Sequence, residues 1–479
     1  MIRISVQDLA LVTGASILEG AGVSVSGSVT IDSRSVGKGD VFVAFPGEKV
    51  DGNAFAANAI NAGASCVVLS AEPAEGVLGL AREKGCAVVR AQRDDCTEFL
   101  LRLAHEWRSR HPKWLVVGVT GSVGKTTTKE FLRAGIASGK RVHATEGNFN
   151  NLIGLPLTVL SAPDDAEVLV CELGMNHPHE IDRLAACCAP TLAVITNVGT
   201  SHIGLLGSRE NIARAKAEIV TGMVESCGVK PLLVLTSAND YTQFIVDGFA
   251  KPAGISTELV GSAATDAVRA SDVTVTPEGT AELTVSMPDG WSRHVALSVR
   301  GKQAVPDFLL ALAVVDALGL DRDDACSAME KMQATSMRLD VQTSASGVRV
   351  IDDSYNASPS SMGAALDVLS EMAADGRRVA VLGEMGELGD EAERLHGYVG
   401  AYAAAKGLDM LAFIGTDMAA QMAEAARTMG ASEDAINMFP TVEAATEALA
   451  PAFQKGDLVL VKASRSAGLD AFARGVLAR

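Results

Sequence analysis

The sequence of 479 residues predicts an α/β protein built on parallel sheets. Three observations carry that expectation. A glycine turn joins an apolar strand to a helix, short apolar β-branched runs alternate with helical patterns, and the length suits roughly three domains of ~150 residues. The turn reads Val119-Thr-Gly-Ser-Val-Gly-Lys-Thr-Thr-Thr128 and is entered from the apolar run 114–120. A strand that stops at Gly-x-x-Gly-Lys-Thr and continues as a helix is built to hold a triphosphate. Its glycines turn backbone N–H groups toward phosphate oxygens, and the helix adds its positive end. The expected phosphate-binding set is therefore Thr120, Gly121, Ser122, Val123, Gly124, Lys125, Thr126 and Thr127. Lys125 would reach the β- and γ-phosphates, and the Thr126 hydroxyl would sit on a magnesium ion. The first glycine of the general pattern is replaced by Val119.

The elements follow in order. Up to residue 110 a small N-terminal α/β domain is expected, with β-rich runs at 23–31, 66–70 and 86–90 and a helix at 97–107. The polar break 108–113, containing Pro112, reads as a linker. A central parallel-sheet ATPase domain, 111–335, follows, with strands at 114–120, 168–172, 192–197 and 232–236 and an antiparallel extension over 259–300. A long apolar helix is expected at 306–318. The remainder, 336–479, reads as a C-terminal Rossmann-like α/β domain with strands at 348–352, 378–382, 411–414 and 457–462. Ligands of such sheets bind at the carboxyl ends of the strands.

Composition narrows the function. With 48% hydrophobic and 21% charged residues, the chain has material for several cores. The net charge of −17 argues against nucleic-acid or anionic-membrane binding, though an anionic small substrate needs only a local basic pocket. Neither a secretory signal nor an apolar stretch of membrane-spanning length is visible, so the cytoplasm is the expected compartment. The eight cysteines show no metal-type spacing and read as small core residues.

The chemical candidates lie at strand ends. Glu172 closes an apolar strand and would complete an oxygen set with Thr126 for a hard cation. Alone, such a glutamate is more often a cap or surface charge; its place beside the phosphate loop favours the metal role. His202 follows the strand at 192–197 by a few residues and is a second candidate ligand. The loop holding Asn148, Asn150 and Asn151 admits two readings, a helix cap or a substrate contact. Lys216 lies in a helical stretch, where composition alone reads a solvated lysine.

Together these segments resemble the Mur ligase family of peptidoglycan synthesis, from about residue 25 to the C-terminus. The resemblance rests on Thr-Gly-x-x-Gly-Lys-Thr at 120–126 and Asn-x-Asn-Asn-x-x-Gly-x-Pro at 148–156. It also rests on Glu-x-Gly at 172–174 and Thr-Asn-x-x-x-x-His at 196–202. It implies catalytic roles for Lys125, Glu172, His202 and Lys216. Two Mg²⁺ ions are implied, one on Thr126 and Glu172, the other on His202 and a carbamylated Lys216. The segment 352–362, the Leu-Gly-Glu-Met-Gly-Glu-Leu-Gly run at 382–389 and His396 are similar to the family member that adds the last amino acids. That implies an ATP-dependent ligase joining D-alanyl-D-alanine to UDP-N-acetylmuramoyl-tripeptide through an acyl phosphate, acting as a monomer. Substrate contacts are then expected from Ser33, Arg34, Asn150, Asn151, Asp353, Tyr355 and Asn356. The uridine-nucleotide resemblance rests on 30–34 and 42–52. Arg338, Lys462 and Arg465 are candidates for interdomain or anion contacts.

The chain departs from the family where His gives way to Asn53, Gly to His179, and a Gly-x-His-x-x-x-Asn segment to one carrying Gln303 and Asp307. The usual Asn-Ala-Asp after the central strand is displaced to Asn239 and Asp240. Another ligase of the family, or a nucleotide switch without an amine acceptor, are the competing readings.

Overall fold

The computed structural model describes residues 1–47 and 50–479. Glu48 and Lys49, within the 42–52 match, lie outside the described residues. Three α/β sheets carry the molecule, and a two-stranded ribbon packs beside the first.

The N-terminal sheet has five strands, in the order Ser16–Glu19, Ala87–Arg90, Cys66–Leu69, Val41–Val43 and Val29–Thr30. All its pairings are parallel except the first. The expected strand at 23–31 is in fact two. Ser24–Gly27 pairs antiparallel with Ile2–Ser5 in the ribbon, while Val29–Thr30 joins the five-stranded sheet. The break is forced at Gly27, where a Cβ would stand 2.3 Å from the Gly39 carbonyl oxygen, and at Ser28, whose N–H donates to Asp40 Oδ1 at 2.7 Å.

The polar break at 108–113 is also shorter and better packed than a free linker. The helix Cys96–Ser109 takes up its first two residues, Arg108 is buried and donates to the His111 carbonyl, and the His111 ring stacks on Trp114 at 4.0 Å.

The central sheet has nine strands. Its parallel core runs Val142–Ala144, Val168–Glu172, Leu115–Thr120, Leu192–Ile195, Leu232–Thr236 and Ser256–Gly261. Every residue of the four inner strands of this run is buried, because helices cover both faces. The extension begins parallel: Val268–Val275 pairs parallel with Ser256–Gly261, and the antiparallel pairings are those of Thr280–Ser286 with Val268–Val275 and with Ser292–Arg300. The expectation of an antiparallel segment from 259 therefore holds only for its later part.

The apolar helix Ala304–Ala317 packs on the helix Lys125–Ala137 that follows the glycine turn. Phe131 and Phe308 meet edge to face at 5.9 Å, and burying each ring is worth about 1.5–3 kcal/mol. This packing fixes the base of the glycine turn.

The C-terminal sheet is ordered Asp340–Thr343, Arg349–Asp352, Leu458–Lys462, Arg378–Gly383, Met410–Ile414 and Ile436–Phe439, parallel apart from its first strand. Its strands end toward the central sheet's glycine turn, and a cavity of about 750 Å³ lies between them. No helix among the described residues is long and apolar enough to cross a membrane.

Candidate active site

The glycine turn forms one wall of this cavity. Gly121 and Gly124 hold φ of +148° and +89°, and a Cβ at Gly124 would stand 2.4 Å from Asp307 Oδ1. The turn is fastened to the neighbouring strand end. Ser122 N–H donates to the Asn197 carbonyl at 3.0 Å, and Val123 N–H to Asn197 Oδ1 at 3.1 Å. In return Asn197 Nδ2 and Thr196 Oγ1 donate to the Val123 carbonyl at 2.9 and 2.5 Å. Lys125 Nζ folds back to donate to the Gly121 carbonyl at 2.8 Å. Crowding by protein atoms pushes the Lys125 ammonium below its usual range, with Glu172 opposing the shift.

Glu172 and Thr126 come together as expected. The Thr126 hydroxyl donates to Glu172 Oε2 at 3.0 Å, and Asn150 Nδ2 donates to Oε1 at 2.9 Å. Glu172 is 2% exposed, so its carboxylate is both desolvated and satisfied. Hydroxyl and carboxylate oxygens fit a hard divalent cation. Among the described residues no three His, Cys, Asp or Glu side chains cluster as a metal site, so further ligands would come from elsewhere.

Lys216 is 1% exposed, against the solvated reading of its helix. Burial drives its pKa well below the usual lysine value, and the Lys125 charge adds to the effect. An uncharged amine is a nucleophile toward carbon dioxide, and the product would be an oxygen ligand. Lys216 does not line the cavity that holds His202, and it offers a magnesium ion an oxygen ligand only when modified.

His202 sits at φ +65° on the cavity wall, where it meets the C-terminal sheet. Its Nδ1 lies 2.5 Å from Glu387 Oε2, and the ring beside it holds the Glu387 carboxyl below the usual range.

Across the cavity, Lys462 Nζ is buried and donates to Asp353 Oδ2 at 2.5 Å and to the Asn356 carbonyl at 2.9 Å. The Arg338 guanidinium lies over the Tyr355 ring at 4.4 Å. Asp353, Tyr355 and Asn356 therefore face the glycine turn, together with Arg338 and Lys462.

Ser33, Arg34, Thr120, Gly121, Asn151, Lys216 and Arg465 do not line this cavity. Arg34 pairs with Asp32 on the N-terminal domain's surface. Asn151 Oδ1 accepts the N–H groups of Ile153 and Gly154, at 3.1 and 2.8 Å, capping the helix Gly154–Ser161. The asparagine loop is thus both a cap, through Asn151, and a site element, through Asn150.

Sequence reasoning missed three features. Asn197 buttresses the glycine turn, Ser358 caps the helix Pro359–Glu371 at the cavity edge, and the Glu387 carboxyl lies against His202. The Ser-Pro step at 358–359 was a visible helix-start signal. The other two are contacts between segments distant in the chain.

Comparison with known proteins decides the family. Models described as "Mur ligase family, catalytic domain", "Mur ligase middle domain" and "Mur ligase, glutamate ligase domain" match residues 14–106, 119–315 and 337–465. UDP-N-acetylmuramoyl-tripeptide--D-alanyl-D-alanine ligase of Bacillus subtilis is 34% identical, over 94% of this chain and 93% of that protein. The chain belongs to the Mur ligase family. Within it, the ligase of the same description from Mycobacterium tuberculosis is 33% identical over 100% of this chain and 98% of its own length. Among solved structures, MurF of Acinetobacter baumannii superposes with a TM-score of 0.87 at 27% identity, covering 100% and 99% of the two chains. MurF of Thermotoga maritima, solved in complex with ADP, gives 0.77 at 26% identity, covering 94% and 96%. This Mur ligase is thus an ATP-using α/β enzyme of three sheets, as the sequence predicted.

Proposed function

We propose that this Mur ligase joins D-alanyl-D-alanine to UDP-N-acetylmuramoyl-tripeptide, with ATP cleaved to ADP and phosphate. The observation that carries the proposal is one cavity bounded by the glycine turn on the central sheet and by Asp353, Tyr355 and Asn356 on the C-terminal sheet. Full-length likeness to ligases of that description supports it. We assign the N-terminal domain, 1–110, to the uridine nucleotide through Ser33 and Arg34, the central domain, 111–335, to ATP, and the C-terminal domain, 336–479, to the dipeptide.

The chemistry follows from the residues. A carboxylate is a poor electrophile, so its oxygen first attacks the γ-phosphorus, giving an acyl phosphate and ADP. Two anions approach in that step. Lys125 and the N–H groups of the glycine turn offset the repulsion and the charge that develops. The dipeptide amine then attacks the acyl carbon, and phosphate leaves from the tetrahedral intermediate. Thr126 and Glu172 would hold one Mg²⁺, and His202 with carbamylated Lys216 a second; bound there, the ions supply charge neutralisation. Carbamylation joins the neutral Lys216 amine to carbon dioxide with loss of one proton. A ¹³C carbamate resonance from labelled bicarbonate, absent in Lys216→Met, tests that assignment.

The −17 net charge argues against nucleic acid as a partner, and the reading is of a small-molecule enzyme working as a monomer in the cytoplasm. The decisive experiment offers UDP-N-acetylmuramoyl-tripeptide and Mg-ATP with a panel of amines and weighs the product. A product heavier by one dipeptide less water is expected. A product carrying a single amino acid would keep the family and reassign the substrate.

A further inference from the structure

The segment that joins the central and C-terminal sheets ends in a strained turn. Just before the strand Asp340–Thr343, Met337 and Leu339 take left-handed φ of +61° and +49°, a region unfavourable to any residue with a Cβ. Arg338 lies between them, and its guanidinium stands over the Tyr355 ring at 4.4 Å on the cavity wall. Burial lowers the Lys125 pKa most, and the Arg338 charge adds to that shift, so the guanidinium is felt at the glycine turn. Two hydrogen bonds hold the strained turn from outside it. Leu339 N–H donates to Asp353 Oδ1 at 3.2 Å, and Tyr355 N–H donates to the Met337 carbonyl at 3.3 Å. Both partners belong to the loop that leaves the strand Arg349–Asp352. That loop is fastened in turn to Lys462, the last residue of the strand Leu458–Lys462. Lys462 is 2% exposed, and its ammonium donates to Asp353 Oδ2 at 2.5 Å and to the Asn356 carbonyl at 2.9 Å. Asp353 thus gives one carboxylate oxygen to the linker and the other to the lysine.

We infer that Lys462 is a positioning residue: by pinning the Asp353 carboxylate it holds the strained turn 337–339, and so sets where Arg338 stands in the cavity. A buried ammonium facing a carboxylate fixes it firmly, because either group left alone would be an uncompensated charge out of water. The turn needs such an anchor, since a left-handed conformation persists at residues with side chains only where the surroundings enforce it. The Lys462 ammonium spends its contacts on Asp353 and Asn356, which leaves Arg338 to present its charge to the cavity. The consequence for turnover rests on the ligase reading proposed above; the anchoring of the turn does not.

The test uses the full chain. Without ligand, hydrogen exchange of the Leu339 amide is compared in the parent and in Lys462→Met. Exchange is expected to quicken at least ~10-fold in the variant, while the strands of the central sheet keep their protection. With all substrates present, kcat of Lys462→Met is expected to fall at least ~10-fold. The same substitution in an Arg338→Ala background should cost under ~2-fold, because no guanidinium is left to misplace. Lys462→Gln, which keeps an N–H donor without the charge, is read in the same way should the methionine variant fold poorly. An unaltered Leu339 amide overturns the inference, as does a kcat that is unchanged or that falls equally in both backgrounds. A parent protein without ligase activity would instead overturn the functional reading, and the exchange result then decides the anchoring alone.

Discussion

The charge logic of the site is carried by single residues whose settings differ from their usual ones. Lys125 rests on the Gly121 carbonyl and, in the proposed reading, exchanges that contact for phosphate oxygens. Lys125→Ala is expected to lower turnover by ~10²–10³, the scale for one preorganised donor, with the melting temperature little changed; phosphate release and thermal unfolding check both parts. Asp307 stands where the family resemblance leads to an expected asparagine, and burial raises its carboxyl well above the ordinary carboxylate value. The folded state then keeps a proton that the unfolded chain releases. The stability from that proton is fully present below the unfolded pKa and is lost as pH rises through the folded one. Asp307→Asn has no such proton, so its melting temperature should gain on the parent's as pH rises from about 4 to about 8. A constant difference across that range would show that Asp307 does not titrate as described. His179, where the resemblance leads to an expected glycine, adopts φ +68°, a conformation that favours glycine; its N–H donates to Glu218 Oε1 at 2.8 Å.

At the scale of elements, the glycine turn and its flanks were legible because the constraint is local. Strand 115–120, the turn and helix Lys125–Ala137 follow from adjacent residues, and so does the buried parallel core. What was not legible depends on contacts across the chain. The split of 23–31 needs Gly39 and Asp40 to be known as neighbours, and the parallel pairing of Val268–Val275 leaves no periodicity of its own. Lys216 shows the same limit. Its helix looks solvated by composition, and only the fold buries it. The turn itself yields a sharp expectation. Gly124→Ala forces a Cβ against the Asp307 carboxyl at a positive φ, so nucleotide affinity should fall at least ~10-fold while the helix behind it persists; calorimetric ADP titration and circular dichroism measure the two.

Across the whole molecule, the proposed reading divides the labour among three α/β sheets and puts the chemistry in the cavity where two of them face each other. Ser33 and Arg34 lie away from that cavity, which suits a long substrate whose nucleotide end and reacting end are held by different domains. Such an enzyme should not spend ATP unless every substrate is in place. The most direct test is phosphate release from Mg-ATP, measured with each of UDP-N-acetylmuramoyl-tripeptide and D-alanyl-D-alanine omitted in turn. Release that requires both, in equal amount to the pentapeptide product, is the predicted result. Release at the same rate without either substrate would contradict a ligase and leave a nucleotide switch.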